Sequence, residues 1–214
     1  VSPYSYFALL YLEKNSHSLE SHNVQVDIVP VFLGGINVGS GNKPPWTLPA
    51  KAKYSPFDSA RAKKFFNAPN VKTPSFFPIL SLLPQRALCF IKAQHPTLLI
   101  PAFLSIFSEM WEQGIDVSKP DSLAKVLSKN FSEQQVREIL EGANIASYKQ
   151  TLNDNTKEAL DRGAFGCPWY WVKNWKGEEE PFFGSDRFHF MWDYLGLPFR
   201  DVELIAAAPG KAKI

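Results

Sequence analysis

G-A-F-G-C-P-W-Y-W-V, residues 163–172, is where a helical chain turns into a β chain. Its two glycines end the helical pattern. Pro168 has no amide hydrogen and so suits the opening of an edge strand. Trp169 to Val172 is aromatic and β-branched, the composition of a strand. Downstream, N-W-K-G-E-E reads as a turn and Glu180 to Phe183 as a second strand. Gly184-Ser185-Asp186 reads as a turn plus an N-cap, and Arg187 to Leu195 as a final helix.

Working backwards, the spacing predicts helices over Tyr148–Arg162, Ser122–Leu127, Leu98–Gln113 and Leu80–Ala93. Ser132 with Gln135 three residues on forms a capping box. Ser55-Pro56-Phe57-Asp58 reads as a cap leading into a helix from Ala60 to Phe66. Residues 34–49 are rich in glycine and proline and read as a loop. Val24 to Leu33 alternates and is β-branched, which predicts a strand. At the start, Ser2-Pro3 suits the N-cap and first position of a helix running to about Asn15.

The order is therefore helix, strand, a block of helices, strand, strand, helix. One more strand in front makes this an α/β, thioredoxin-like sheet of the DsbA type carrying an all-helical insertion. The expected division is residues 1–54 with 164–214 for the thioredoxin-like unit and 55–163 for the insertion. Only Val1 stands where the first, central strand belongs, and the chain opens on valine rather than methionine. A strand's length, about ten residues, is thus expected upstream. Without it Ser2 would be prone to fraying and the neighbouring strands would lack a pairing partner.

The bulk properties narrow the function. The 214 residues suit one domain, or one with an insertion. A net charge of +2 implies neither nucleic acid nor an acidic membrane as partner. The apolar run Thr97–Phe107 is too short to span a bilayer. Two cysteines, Cys89 and Cys167, form no CxxC, which excludes a dithiol oxidoreductase site and points to a reducing compartment. His17, His22, His95 and His189 are scattered and not at metal-ligand spacing, so no metal is expected.

Four motifs, in order, resemble the kappa-class glutathione transferases, thioredoxin-fold relatives of the 2-hydroxychromene-2-carboxylate isomerases. They are S-P-Y-S at 2–5, S-G-N-K-P-P with L-P-A-K at 40–51, G-A-F-G-C-P at 163–168 and F-F-G-S-D-R at 182–187. Together they span essentially the whole chain. The isomerases share S-P-Y-S but more often carry G-Q-D-R and lose K-P-P. The G-S-D-R and G-N-K-P-P of this chain lean towards the transferase.

The resemblance implies glutathione as co-substrate and a role for each matching residue. A free thiol is only a few per cent thiolate at neutral pH. A helix start carries partial positive charge, and a hydroxyl there adds one donor. Ser2 is thus the implied catalytic donor to the sulfur, in place of a plain N-cap, with Ser5 as the competing hydroxyl. Pro3 and Tyr4 flank it. Cys167-Pro168 is implied to be a cis peptide whose preceding residue pairs with the glutathione backbone. The family usually has an aliphatic residue where this chain has Cys167. That thiol either forms mixed disulfides or is simply a small buried hydrophobe. Ser185 and Asp186 are implied to hold the zwitterionic γ-glutamyl end. Asn42 and Lys51 are implied to hold the glycine carboxylate, with Lys43 and Lys53 as competitors. Trp46 is expected to shape a pocket for flat, apolar electrophiles.

The implied activity is conjugation of the thiol to an electrophile, or reduction of a hydroperoxide, in a detoxifying homodimer. A hydroxychromene-type isomerase and a truncated, non-catalytic binding protein are the alternatives. The terminal A-K-I has the small-basic-apolar pattern of a peroxisomal address with a poor last residue. A peroxisomal or mitochondrial location, with the cytoplasm as the other possibility, is expected, and no secretory segment is visible.

Overall fold

A computed structural model describes residues 1–200. Helix α1, Pro3–Lys14, begins with the Ser2 hydroxyl accepting from the Ser5 amide, as an N-cap serine does. The short α2, Ser16–Ser21, follows, and after it an extended segment leads to α3, Leu33–Ser40. A single tight helical turn at Pro45–Thr47 precedes α4, Pro49–Phe65. Then come α5 (Leu82–Gln94), α6 (Leu99–Trp111), α7 (Pro120–Leu127), α8 (Glu133–Gly142) and α9 (Ala146–Asp161). Strands β1 (Trp169–Lys173) and β2 (Glu179–Phe183) form an antiparallel pair, and α10 (Phe188–Tyr194) ends the described fold. In the pair Trp169 faces Phe183 and Lys173 faces Glu179.

The core lies in the helical block. Helix α5 packs on α6, α8 and α9, while α7 bridges α6 and α8. Ile91, Leu123, Leu127 and Ile139 have no exposed surface there, and Phe7 of α1 joins the same cluster. At about 25 cal/mol per Å² of apolar area removed from water, this cluster is the main stabilising element of the fold. The capping box forms as read: the Gln135 amide donates to Ser132 Oγ and the Ser132 amide to Gln135 Oε1.

Three expectations are corrected. Residues 24–32 are extended but pair with no strand among the described residues. A ladder needs a partner backbone, and here side chains satisfy the main chain instead. Lys92 Nζ donates to the Ile28 carbonyl, Asn155 Nδ2 to the Pro30 carbonyl, and the Phe32 amide donates to Thr156 Oγ1. The glycine-rich stretch from 34 is not all loop, because α3 occupies its first half. Packing on α9 overrides the low propensity of glycine: a Cβ on Gly39 would stand 2.5 Å from Leu160. Finally, α4 starts at Pro49, not at the Ser55-Pro56 signature, and runs across the junction expected at 54/55. It tolerates Pro56 in its interior because it buries none of its side chains, so the freed carbonyl can be hydrated.

Candidate active site

The four motifs, far apart in sequence, converge at one end of the molecule. Asn42 Nδ2 donates to the Phe165 carbonyl at 2.6 Å, tying the 40–45 loop to the 163–168 loop. Gly166 lies under the Phe183 ring, close enough that a Cβ would stand 3.0 Å from it. The Gly184 amide donates to the Pro168 carbonyl at 3.1 Å, which ties the third motif to the fourth. The Cys167–Pro168 peptide is cis. Phe165 packs against Phe183 with ring centres 4.5 Å apart. Asp186 is near enough to α1 to help hold the Tyr4 hydroxyl protonated, after burial and the bond to Asp58.

Ser2 caps α1 through an oxygen lone pair, at 3.4 Å from the Ser5 amide. Capping leaves the hydroxyl proton uncommitted. Pro3 takes the first helical position, as its fixed φ favours. Tyr4 differs from expectation: its hydroxyl donates to Asp58 Oδ2 at 2.6 Å, so it braces α4 against α1 and its proton is already used.

The N-cap expected at Ser185-Asp186 is also corrected. The cap position is Arg187, without a side-chain cap bond, and the Asp186 carboxylate pairs with the Arg187 guanidinium at 2.5 Å. Ser185 is buried at 4% exposure. Asn42 accepts the Lys43 amide on its Oδ1 while donating to Phe165, so it is a loop brace with one N–H to spare. Lys51, on α4, is exposed, and so are Lys43 and Lys53. Trp46 is half exposed and meets the Phe77 ring edge-on at 5.2 Å.

Burial pushes the Cys167 thiol up to about 11, so it is a thiol and not a thiolate at neutral pH. Cys89 is pushed up to about 11 by the same cause. Two residues near the site carry no sequence motif. Asp58 was read only as part of a cap, and a long-range partner of this kind leaves no local signal. Tyr170 belongs to the aromatic run, but its buried hydroxyl has no partner among the described residues. It is held protonated by burial, with Asp186 and Cys167 adding to the effect.

The DsbA-like thioredoxin domain family matches residues 1–196. A kappa 1 glutathione S-transferase of Caenorhabditis elegans is 30% identical over 204 residues, covering 92% of this chain and 88% of the relative. The chain belongs to the kappa-class glutathione S-transferases. Within that class the human kappa 1 enzyme is 28% identical over 201 residues, covering 92% of this chain and 87% of the relative. A solved 2-hydroxychromene-2-carboxylate isomerase superposes with a TM-score of 0.74 at 19% identity, covering 91% of this chain and 90% of its own. That likeness fixes the fold that this kappa-class member shares: a DsbA-like thioredoxin fold, helix-rich, with a small two-stranded sheet among the described residues. Among those residues no helix is long and apolar enough to cross a membrane. The A-K-I tail, residues 212–214, lies outside them.

Proposed function

We propose that the protein activates the glutathione thiol as a thiolate and joins it to an electrophile. The observation that carries this reading is the convergence of the four motifs, in a chain akin to kappa-class enzymes over nearly its full length. The Ser2 hydroxyl points the way: it accepts from the Ser5 amide, donates to none of the described residues, and stands at a helix start whose amides and dipole favour an anion. Each pKa unit by which the sulfur is lowered corresponds to about 1.4 kcal/mol. The thiolate then attacks an electrophilic carbon, a carbon–sulfur bond forms, and the leaving group departs with the electron pair. With a hydroperoxide, sulfur attacks oxygen instead, and a second glutathione completes the disulfide with release of alcohol and water.

In this reading Cys167 and Pro168 offer backbone pairing to the tripeptide. Ser185 and Asp186, with Tyr170 as an added donor, take the γ-glutamyl end. Asn42 supplies its remaining N–H to the glycine carboxylate, with Lys51 as the proposed cationic partner of that group. Pro3 sets the helix entry, and Tyr4 acts indirectly by holding α4. The reading carries with it a homodimer, a peroxisomal or mitochondrial location and a helical insertion set into the thioredoxin-like unit, its first boundary displaced from 54/55 by α4.

Calorimetry with glutathione, together with the ultraviolet absorbance of the bound thiolate, tests it. Binding with a thiolate signal that falls about tenfold in Ser2→Ala is the expected result. Binding without any thiolate signal overturns the mechanism, and no binding overturns the assignment. Turnover of an aromatic hydroxy acid without conjugation would favour the isomerase alternative.

A further inference from the structure

An open cavity of about 470 Å³ lies between α1, α2, α10 and the segment that follows α10. Small-molecule sites occupy about 300–1,000 Å³. Its floor is aromatic. Tyr11 and Phe188 stack with centres 4.4 Å apart, Trp192 stacks on Phe188 at 5.5 Å, and Phe65 lies over Tyr11 at 6.4 Å. Arg200, His22 and His189 also line it. The acidic group on the wall, Asp186, is already paired with Arg187. Ser185, itself buried, also lines the cavity.

Aromatic walls favour a flat aromatic body, which gains stacking beyond its area burial. A guanidinium with neighbouring imidazoles favours one anionic, hydrogen-bond-accepting group. We infer that this cavity binds a planar aromatic acid. It is not where a thiol would react. At 1.5 Å per helical residue, Tyr11 and Asn15 on its wall lie about 14 and 20 Å along α1 from Ser2. The ligand is therefore a second small molecule, held alongside the γ-glutamyl end of the proposed glutathione site through the shared wall at Ser185–Asp186.

Calorimetric titration of the full chain with naphthoate tests this, with uncharged naphthalene methanol as control and glutathione titrated separately. Naphthoate is expected to bind at least tenfold more tightly than the alcohol. Arg200→Gln is expected to weaken naphthoate about tenfold, with Arg200→Lys recovering part of the loss. Ser18→Trp, an exposed wall position, is expected to fill the cavity and abolish binding. Neither variant is expected to change glutathione binding. No naphthoate binding by the unaltered chain, or naphthoate binding unchanged in both Arg200→Gln and Ser18→Trp, overturns the inference. Naphthoate bound as expected by a chain that fails to bind glutathione overturns the proposed function and leaves this site standing.

Discussion

The helical block and the sheet end of the molecule are built on different physics. In the block, side chains from five helices interlock, and residues such as Leu123 and Ile139 have no exposed surface. At the sheet end, β1 and β2 have only half-buried and exposed positions, α4 buries nothing, and Trp175 is 78% exposed. That end is held by a smaller apolar cluster, Phe188 and Met191 with Tyr170 and Phe182, and by a few directed bonds, such as Tyr4 to Asp58 and Asn42 to Phe165. Most of the burial thus resides in one half and the candidate chemistry in the other. The site can expose donors and an aromatic-lined cavity because the helices supply the burial that folding requires.

The strongest break of this contrast is Leu123→Ala. It should cost about 2–5 kcal/mol in urea denaturation, whereas Trp175→Ala should stay within about 0.5 kcal/mol. Equal costs would mean that the two ends fold as one uniform core. Gly142→Ala comes next. In an exposed helix this change stabilises by about 1 kcal/mol, but here the new Cβ would stand 2.1 Å from Phe90 Cδ2. A loss of about 1–3 kcal/mol is expected, and a gain would show that α5 and α8 are loosely packed.

Tyr4→Phe sharpens the other side of the contrast. Loss of the part-buried bond to Asp58 should cost about 1–2 kcal/mol and loosen α4, visible as faster amide exchange in residues 49–65. Exchange unchanged there would mean that α4 is held by other contacts. The smallest effect is the pH dependence of Cys167. Its folded pKa, about 11, lies above its ordinary value of 9.0. The unfolded chain therefore releases this proton first. The stabilising contribution is full below about pH 9 and is lost as pH rises through about 11. Denaturation midpoints should fall across that window, and by less in Cys167→Ala. Alkylation of Cys167 at neutral pH should be slowed roughly a hundredfold relative to an ordinary cysteine. Fast modification at neutral pH would revive the idea of a mixed-disulfide thiol.

What was legible in the sequence was local. The Ser2-Pro3 start, the Ser132–Gln135 box, the amphipathic runs of α5 to α9 and the hairpin after Pro168 all follow from signals within a few residues, and they form as read. The four motifs named the family for the same reason, since each is a short string. What failed was decided by distant partners. Val24 to Phe32 has strand composition, but composition cannot supply a neighbouring backbone, and side chains of α5 and α9 take its place. Gly34 to Ser40 has loop composition, but contact with Leu160 and Thr156 of α9 makes its glycines an advantage for close helix approach. Asp58 reads as a cap residue until Tyr4, 54 positions earlier, turns out to be its partner. By itself, then, the sequence determined the capped helices, the hairpin, the family and the candidate residues, because propensity, capping and motif are local. Only the tertiary structure decided which residues meet, where the aromatic cavity opens and which polar groups are left without partners, because those depend on contacts between segments whose pairing no local pattern encodes.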